Sequence, residues 1–229
     1  PTDLMETGND LLRPWLARMI MLSTYRTDKI PFKQVYMHGM VLDEKGQKMS
    51  KSKGNVVNPM EVVGEYGSDA MRLGIVSGRS PGQNQAFSQS NLVAGRNFCN
   101  KLWNMARYVE ASLDADTSRV PEPLTTADHW VMRQLSDATN RIGSLLDAYR
   151  YSDASDLMYH TIWDDVADWY LEASKDKAGQ GMLAWVLETC LKIAHPFAPF
   201  VTETIWTTLK WDKELLIAPR WPEDVKYSA

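Results

Sequence analysis

The chain has 229 residues, with 44% apolar and 24% charged residues, which is ordinary for a globular protein of one or two domains. The net charge of −4 argues against a strongly basic nucleic-acid binder, but residues 1–89 carry 11 Lys and Arg against 9 Asp and Glu. A local basic face could still bind RNA. Apolar runs are too short for a transmembrane helix, and the two distant cysteines form no metal-binding pattern, so we predict a membrane-free cytoplasmic protein without a metal site of its own.

The first 58 residues have the pattern of an α/β segment. Thr2–Thr7 is predicted as a strand, residues 11–24 as a helix with apolar side chains almost all round, and Val35–Val41 as a second strand. This order is typical of the edge of an α/β sheet. The polar residues Asp43–Asn58 then predict a loop.

Helical periodicity dominates the rest of the chain. Helices are predicted to begin at Asn58-Pro59 and Ser68-Asp69, and Ser77–Gln85 is the candidate linker. Further helices are predicted at about residues 89–113, 126–149, 153–175, 180–194 and 199–210, with Ser88, Thr126 and Ser152 as N-caps. This pattern predicts a helical bundle.

The predicted loop contains three closely spaced lysines, Lys48, Lys51 and Lys53. Their ammonium groups could converge on an anion, to which the Ser50 and Ser52 hydroxyls and the loop N–H groups add donors. From the lysine count alone, a solvated basic loop or a run that resembles a nuclear-localisation signal is the favoured interpretation.

The string Lys48-Met49-Ser50-Lys51-Ser52, preceded by a predicted strand and His38-Gly39, resembles the KMSKS motif of class I aminoacyl-tRNA synthetases. The resemblance implies that Lys51 and Lys48 are catalytic and contact the ATP phosphates, with Ser50 and Ser52 beside them. It further implies that the backbone near Val41 recognises adenine, with His38 and Gly39 close by.

A second segment, Thr7–Asp10 with Trp15 and residues 17–20, is similar to the valyl branch of that class. The resemblance implies that Gly8 and Asp10 approach the ATP ribose. From local sequence alone, Asp10 could equally cap the helix that follows. The chain departs from the valyl pattern at residues 11–14.

Several later segments resemble the same enzymes. Residues 67–72 are similar to their GADALR helix, in which Arg72 could contact RNA or make a structural ion pair. Residues 95–104 match their RNFxNKxWN helix, which implies tRNA contacts for Arg96 and Lys101. Residues 163–172 and 195–206 resemble the anticodon-binding bundle. Three carboxylates in the first of these segments are expected to be solvated or to cap a helix, with no His or Cys nearby: Asp164, Asp165 and Asp168. His195 is expected to end a helix.

The implied fold is mostly α, with the C-terminal part of a Rossmann-like α/β catalytic domain at residues 1–57, a stem-contact segment and linker at 58–87, and an α-helical anticodon-binding domain at 88–229. The implied parent enzyme is a monomer that activates valine with ATP and Mg²⁺ and transfers it to tRNA(Val). The start at Pro1 and the lack of a His-x-Gly-His motif indicate a fragment that is inactive alone.

Three alternatives remain at this stage. The chain could be the same region of an isoleucyl or leucyl enzyme, although their usual segments differ from residues 7–15. It could be a non-catalytic tRNA-binding module. A generic helical interaction protein ranks last, because it gives no reason for the KMSKS string.

Overall fold

The computed structural model describes residues 1–78, 82–112, 121–175, 181–210, 214–218 and 221–222. The chain divides into two compact units: Pro1–Asn58 with Gly78–Ser88, and Pro59–Ser77 with Gln89–Ala229. Parts of the predicted linker and of the connection before residue 121 lie outside the described residues. The predicted mostly helical fold with a small α/β part is confirmed.

The first unit is built on a parallel strand pair. Strand β1 (Thr2–Gly8) pairs with β2 (Phe32–His38), in a register that joins Thr2 to Phe32 and Gly8 to His38. A helical crossover connects the two strands, as parallel pairing requires. The predicted strand–helix–strand order is therefore confirmed.

The crossover helix is less regular than predicted. It begins with a 3₁₀ turn (Asn9–Leu11) and a π-helical turn (Leu12–Leu16), and only Ala17–Thr27 forms the α-helix α1. Pro14 lies in the π-helical turn and has no N–H to donate to a regular α-helical ladder. The apolar side chains of the crossover are also less buried than those of a helix packed on a sheet would be. Leu16 of the π-helical turn is buried, whereas α1 contains no buried residue and its Met21 is exposed.

The predicted second strand divides in two. Strand β2 ends at His38, and Val41–Leu42 forms a separate short strand, β3, paired in parallel with β4 (Gln85–Ala86). Between them, the Gly39 backbone lies against the Gln83 carbonyl, where a Cβ would come within 1.6 Å of its oxygen. Only glycine permits this approach, so the extended run is interrupted there.

The second unit is helical throughout its described elements. Helices α2 (Pro59–Tyr66) and α3 (Ser68–Val76) begin where predicted, and α4 (Gln89–Ala111) and α5 (Thr126–Asp147) follow. The next predicted helix is one run made of α6 (Tyr151–His160), a π-helical segment (Thr161–Tyr170) and α7 (Leu171–Ala173). Helices α8 (Met182–Ala194) and α9 (Pro199–Leu209) complete the bundle.

Two predicted N-caps were wrong. The N-cap of α5 is Thr125 rather than Thr126: its side chain accepts from the Asp128 N–H, and the Asp128 carboxylate accepts from the Thr125 N–H in return. This capping box satisfies two helix-end donors at once. Helix α6 begins at Tyr151, so Ser152 lies inside its first turn.

The bundle core is contributed by buried side chains from every long helix, among them Phe98, Leu102, Val131, Leu135, Ile162 and Leu187. None of the helices in the described ranges combines the length and the hydropathy of a membrane-spanning segment.

Candidate functional site

The carboxyl ends of β1 and β2 bring two predicted site residues together. Gly8 ends β1 directly opposite His38, which ends β2. Ligands of open α/β sheets bind beyond the carboxyl ends of parallel strands. The predicted ATP-contacting residues of the two strands therefore share the edge at which such a ligand would bind.

His38 is held by polar contacts on both sides of its ring. Its Nε2 lies 3.2 Å from Glu6 Oε1, and its Nδ1 lies 2.9 Å from the Gly39 carbonyl oxygen. These contacts fix the ring at the strand end, while Gly39 itself is buried against Gln83. Val41 is half-buried and pairs with Gln85 in the short sheet of β3 and β4.

Asp10 lies just beyond β1 and is exposed. It does not cap a helix, because Gly8 occupies the N-cap position of the 3₁₀ turn that contains it. Its carboxylate instead accepts a hydrogen bond from Lys48 Nζ, with 3.0 Å between Nζ and Oδ2. The Lys48 hydrogen bond is the main cause that lowers the pKa of Asp10 below its ordinary value.

We call residues 43–55 the lysine loop. At its centre, Lys51–Lys53 form a 3₁₀ turn that begins after Ser50 and ends at Gly54, whose φ of 67° is left-handed. Ser50 Oγ and Ser52 Oγ lie 3.2 Å apart. Lys51 is exposed and forms no ion pair with any residue that the structure describes. Its ammonium group is therefore available to an anionic ligand.

Two residues that sequence reasoning missed, Asp43 and Asn55, lie at the ends of the lysine loop. Asn55 Nδ2 donates to Asp43 Oδ2 at 2.8 Å. This hydrogen bond is the main cause that lowers the pKa of Asp43, and the Gln47 N–H adds to it. The pattern of Asp three residues before Gly46 is a turn signal that could have indicated Asp43.

The predicted tRNA-binding residues lie on α4 in the second unit. The exposed Arg96 guanidinium is 5.6 Å from the centre of the Tyr66 ring. Lys101 Nζ is paired with Asp168 and lies 5.2 Å from the centre of the Trp163 ring. Arg96 is thus open to a phosphate, whereas Lys101 already has a carboxylate partner.

Arg72 has a structural position in the bundle. Its guanidinium donates to the carbonyl oxygens of Pro196 and Phe197 at 2.9 and 3.2 Å. In the same helix, the buried Asp69 carboxylate accepts from the Phe200 and Val201 N–H groups. Together the two side chains of α3 hold both sides of the turn between α8 and α9, so the suggested ion pair of Arg72 is replaced by carbonyl contacts.

Two of the three carboxylates of the π-helical segment have partners that the sequence did not suggest. Asp164 Oδ2 lies 2.8 Å from His160 Nδ1, so the expectation of no nearby histidine was wrong. Asp168 pairs with Lys101. Burial is the main cause that raises the pKa of Asp165, and the nearby Asp164 adds to it. No group of three or more His, Cys, Asp or Glu among the described residues could hold a metal ion.

His195 follows the last residue of α8, as predicted, and its Nδ1 lies 2.8 Å from Thr202 Oγ1. Desolvation is the main cause that lowers the pKa of this imidazole below its ordinary value. The contact with Thr202 joins the end of α8 to α9, so His195 has a structural role at this turn.

Two family models match the chain. Residues 1–88 match the class I tRNA synthetases of the isoleucine, leucine, methionine and valine group, and residues 128–228 match the anticodon-binding domain of tRNA ligases. The valine--tRNA ligases of Anoxybacillus flavithermus and Carboxydothermus hydrogenoformans are 38% and 39% identical over 97% of this chain. The chain spans 27% of the length of these relatives.

A solved structure shows the same fold. The Agrobacterium radiobacter K84 agnB2 LeuRS, solved as a ternary complex with tRNA and LeuAMS, superposes with a TM-score of 0.83 at 24% identity, over 97% of this chain and 29% of that one. At this identity the likeness concerns the fold alone. The KMSKS string, the parallel strand pair and the two family matches agree, and the chain belongs to the class I aminoacyl-tRNA synthetases.

Proposed function

We propose that this chain is the part of a valine--tRNA ligase that supplies the KMSKS loop and the anticodon-binding domain. The observation that carries the proposal is the convergence of Lys48 from the lysine loop on Asp10 at the carboxyl end of β1. A lysine ammonium group suited to a phosphate thus lies 3.0 Å from a carboxylate suited to a ribose hydroxyl, which supports the proposal. The identity to valine enzymes over 97% of the chain supports valine as the substrate.

In the proposed reaction, a valine carboxylate oxygen attacks the α-phosphorus of ATP, and the bond to the β-phosphate breaks. The valyl-adenylate then passes its valyl group to a tRNA hydroxyl, and AMP leaves. The donor set of this chain suits the first step: Lys48 and Lys51 would stabilise the negative charge that grows on the departing pyrophosphate. Ser50 and Ser52 would add hydroxyl donors to the same phosphates.

The nucleoside end of ATP would lie at the strand ends. Asp10 would accept from a ribose hydroxyl, Gly8 would permit close backbone approach, and His38, Gly39 and Val41 would surround the adenine. Mg²⁺ would enter with ATP and neutralise phosphate charge. Arg96 and Lys101 of α4 would contact the tRNA backbone. We further propose that the enzyme is a monomer and acts in the cytoplasm.

The test of this proposal is tRNA selectivity. We expect the 229-residue chain to retard tRNA(Val) in a gel shift more strongly than other tRNAs at one fixed salt concentration. Stronger binding of tRNA(Ile) or tRNA(Leu) would move the assignment to another enzyme of the group. Equal binding of all tRNAs would favour a module that reads tRNA shape alone.

A second measurement separates the chain from the intact enzyme. The intact synthetase that contains this sequence should catalyse valine-dependent exchange between ATP and pyrophosphate. We expect the 229-residue polypeptide alone to be inactive, since it contains one nucleotide-binding motif of the two that the class uses. Robust exchange by the isolated chain would contradict this expectation.

A further inference from the structure

The two ends of the lysine loop are joined by a pair of side chains. Asp43 follows β3 and Asn55 follows the 3₁₀ turn, so the pair encloses all five residues of the KMSKS string. Asn55 Nδ2 donates to Asp43 Oδ2 at 2.8 Å, and both residues are half-buried. We call this pair the loop clasp.

Asp43 shapes the incoming side of the loop. Its Oδ1 accepts from the Lys45 and Gln47 N–H groups at 3.0 and 2.7 Å. Its backbone N–H donates to the Gln47 carbonyl at 2.8 Å, which closes a turn before Lys48. The turn lets Lys48 pair with Leu42 of β3, so the first lysine is tied to the sheet.

Asn55 shapes the outgoing side. Its Oδ1 accepts from the Ser50 N–H at 2.9 Å, and its Nδ2 also lies 3.3 Å from the Lys48 carbonyl oxygen. One amide side chain thereby holds the backbone on both sides of Met49. This amide and its carboxylate partner therefore hold the backbone from Lys48 to Ser50, directly before Lys51.

The geometry points to Asp43 and Asn55 as positioning residues for ATP activation: the loop clasp holds the lysine loop in the shape that presents Lys48 and Lys51 to the phosphates. The lysine side chains are exposed, so their aim depends on the backbone that carries them. A reactive group displaced by about 1 Å can lose about a hundredfold in rate. The inference rests on the proposed function.

Exchanging the two residues of the clasp tests it directly. Asp43→Asn would bring two amide groups together and Asn55→Asp two carboxylates, so each single variant would lose the hydrogen bond between the two side chains. The double variant Asp43→Asn/Asn55→Asp keeps the donor and acceptor of the clasp and the acceptors for the Lys45, Gln47 and Ser50 N–H groups. The 3.3 Å contact with the Lys48 carbonyl loses its donor, because a carboxylate oxygen replaces the Asn55 amide nitrogen.

The first readout is trypsin cleavage after Lys48, Lys51 and Lys53 in the 229-residue chain, followed by mass spectrometry. Cleavage reports the open population of the loop, so we expect each single variant to be cut about five- to tenfold faster and the double variant within about twofold of wild type. Glu44→Gln is the matched control, because it removes a neighbouring exposed charge that makes no contact within the described chain.

The second readout is the intact enzyme. We expect both single variants to lower kcat for ATP–pyrophosphate exchange by at least tenfold with little change in the valine KM, and the double variant to recover most of the loss. A double variant that is cleaved or slowed as much as the singles overturns the clasp. Trypsin cleavage needs neither valine nor tRNA. It therefore tests the clasp even if the proposed function is wrong.

Discussion

Lys48 Nζ lies 3.0 Å from Asp10 Oδ2, and the two residues belong to different parts of the proposed ATP site. Asp10 is proposed to contact the ribose and Lys48 the phosphates. In this structure the two residues form an ion pair with each other. Binding of ATP would replace this ion pair with two ligand contacts, so Asp10 and the ATP phosphates compete for Lys48.

The first prediction concerns this competition. Asp10→Asn should tighten the binding of inorganic pyrophosphate to the intact enzyme by about two- to fivefold, the modest gain expected when an exposed ion pair is removed. Pyrophosphate has no ribose, so loss of the ribose contact of Asp10 does not affect its affinity. Titration calorimetry measures that affinity.

Asp3→Asn is the matched control for that experiment. Asp3 forms an exposed ion pair with Lys33 in the same unit, away from the lysine loop. Its removal should leave pyrophosphate binding unchanged. If Asp10→Asn behaves like Asp3→Asn, the ion pair does not restrain Lys48.

The second prediction concerns Lys51, whose ammonium group forms no ion pair among the described residues. Lys51→Ala in the intact enzyme should slow adenylate formation by about 10²–10³-fold and leave valine affinity nearly unchanged, because its contact strengthens as pyrophosphate departs. Lys45→Ala, in the turn before the motif, is the control. A loss of valine affinity at an unchanged rate would contradict the role given to Lys51.

The sequence predicted these lysines because the KMSKS string is specific, but it did not predict what holds them. The Lys48–Asp10 contact spans 38 positions and the loop clasp spans 12, and no local pattern reports pairing over such distances. Helical periodicity predicted the bundle. It could not reveal the π-helical segment that ends at Tyr170, because apolar residues recur at similar spacing in both kinds of helix.

The third prediction is a stability effect in the bundle. The buried Tyr170 hydroxyl donates to Asp128 Oδ1 at 2.8 Å, beneath the capping box of α5. Tyr170→Phe should lower the free energy of unfolding of the chain by about 1.5–3 kcal/mol, the range for a hydrogen bond to a charged group. Tyr159→Phe, in the helical run that leads to Tyr170, should cost less than about 0.5 kcal/mol. Urea unfolding measures both, and equal losses would contradict the role of the Asp128 contact.

The fourth prediction follows from His195. Burial lowers its folded-state pKa below the ordinary 6.5, so between the two pKa values the unfolded chain binds more protons than the folded chain. Stability should therefore fall as pH drops below about 6.5, and His195→Asn should flatten that fall. Urea unfolding between pH 7.5 and 4.5 measures the slope.

A matched histidine variant isolates this effect. His129 is exposed on α5, so His129→Asn changes the same residue type away from the turn between α8 and α9. His195→Asn should give a shallower fall in stability with pH than His129→Asn. A His195→Asn slope identical to that of His129→Asn would show that burial of His195 does not contribute to acid sensitivity.

The last prediction separates the two proposed tRNA contacts on α4. Arg96→Ala should weaken tRNA(Val) binding and reduce the salt slope of log K by about 1, since one phosphate contact is lost. Lys101 is held by Asp168, so its contact requires that ion pair to open. Lys101→Ala should give the same loss, and Asp168→Asn should strengthen binding by freeing the ammonium group.

Arg133→Ala provides the control, because Arg133 is also a cation paired with a carboxylate, Asp137, on another helix of the same unit. Filter binding at several salt concentrations gives both affinity and slope. Two results together would contradict the role of Lys101: weaker tRNA binding by Asp168→Asn, and a salt slope of Lys101→Ala equal to that of Arg133→Ala. The Lys101–Asp168 ion pair would then support the fold of the bundle, and Lys101 would not contact RNA. The stack of Lys101 over Trp163 would then be a packing contact, and Arg96 alone would carry the proposed phosphate contact of α4.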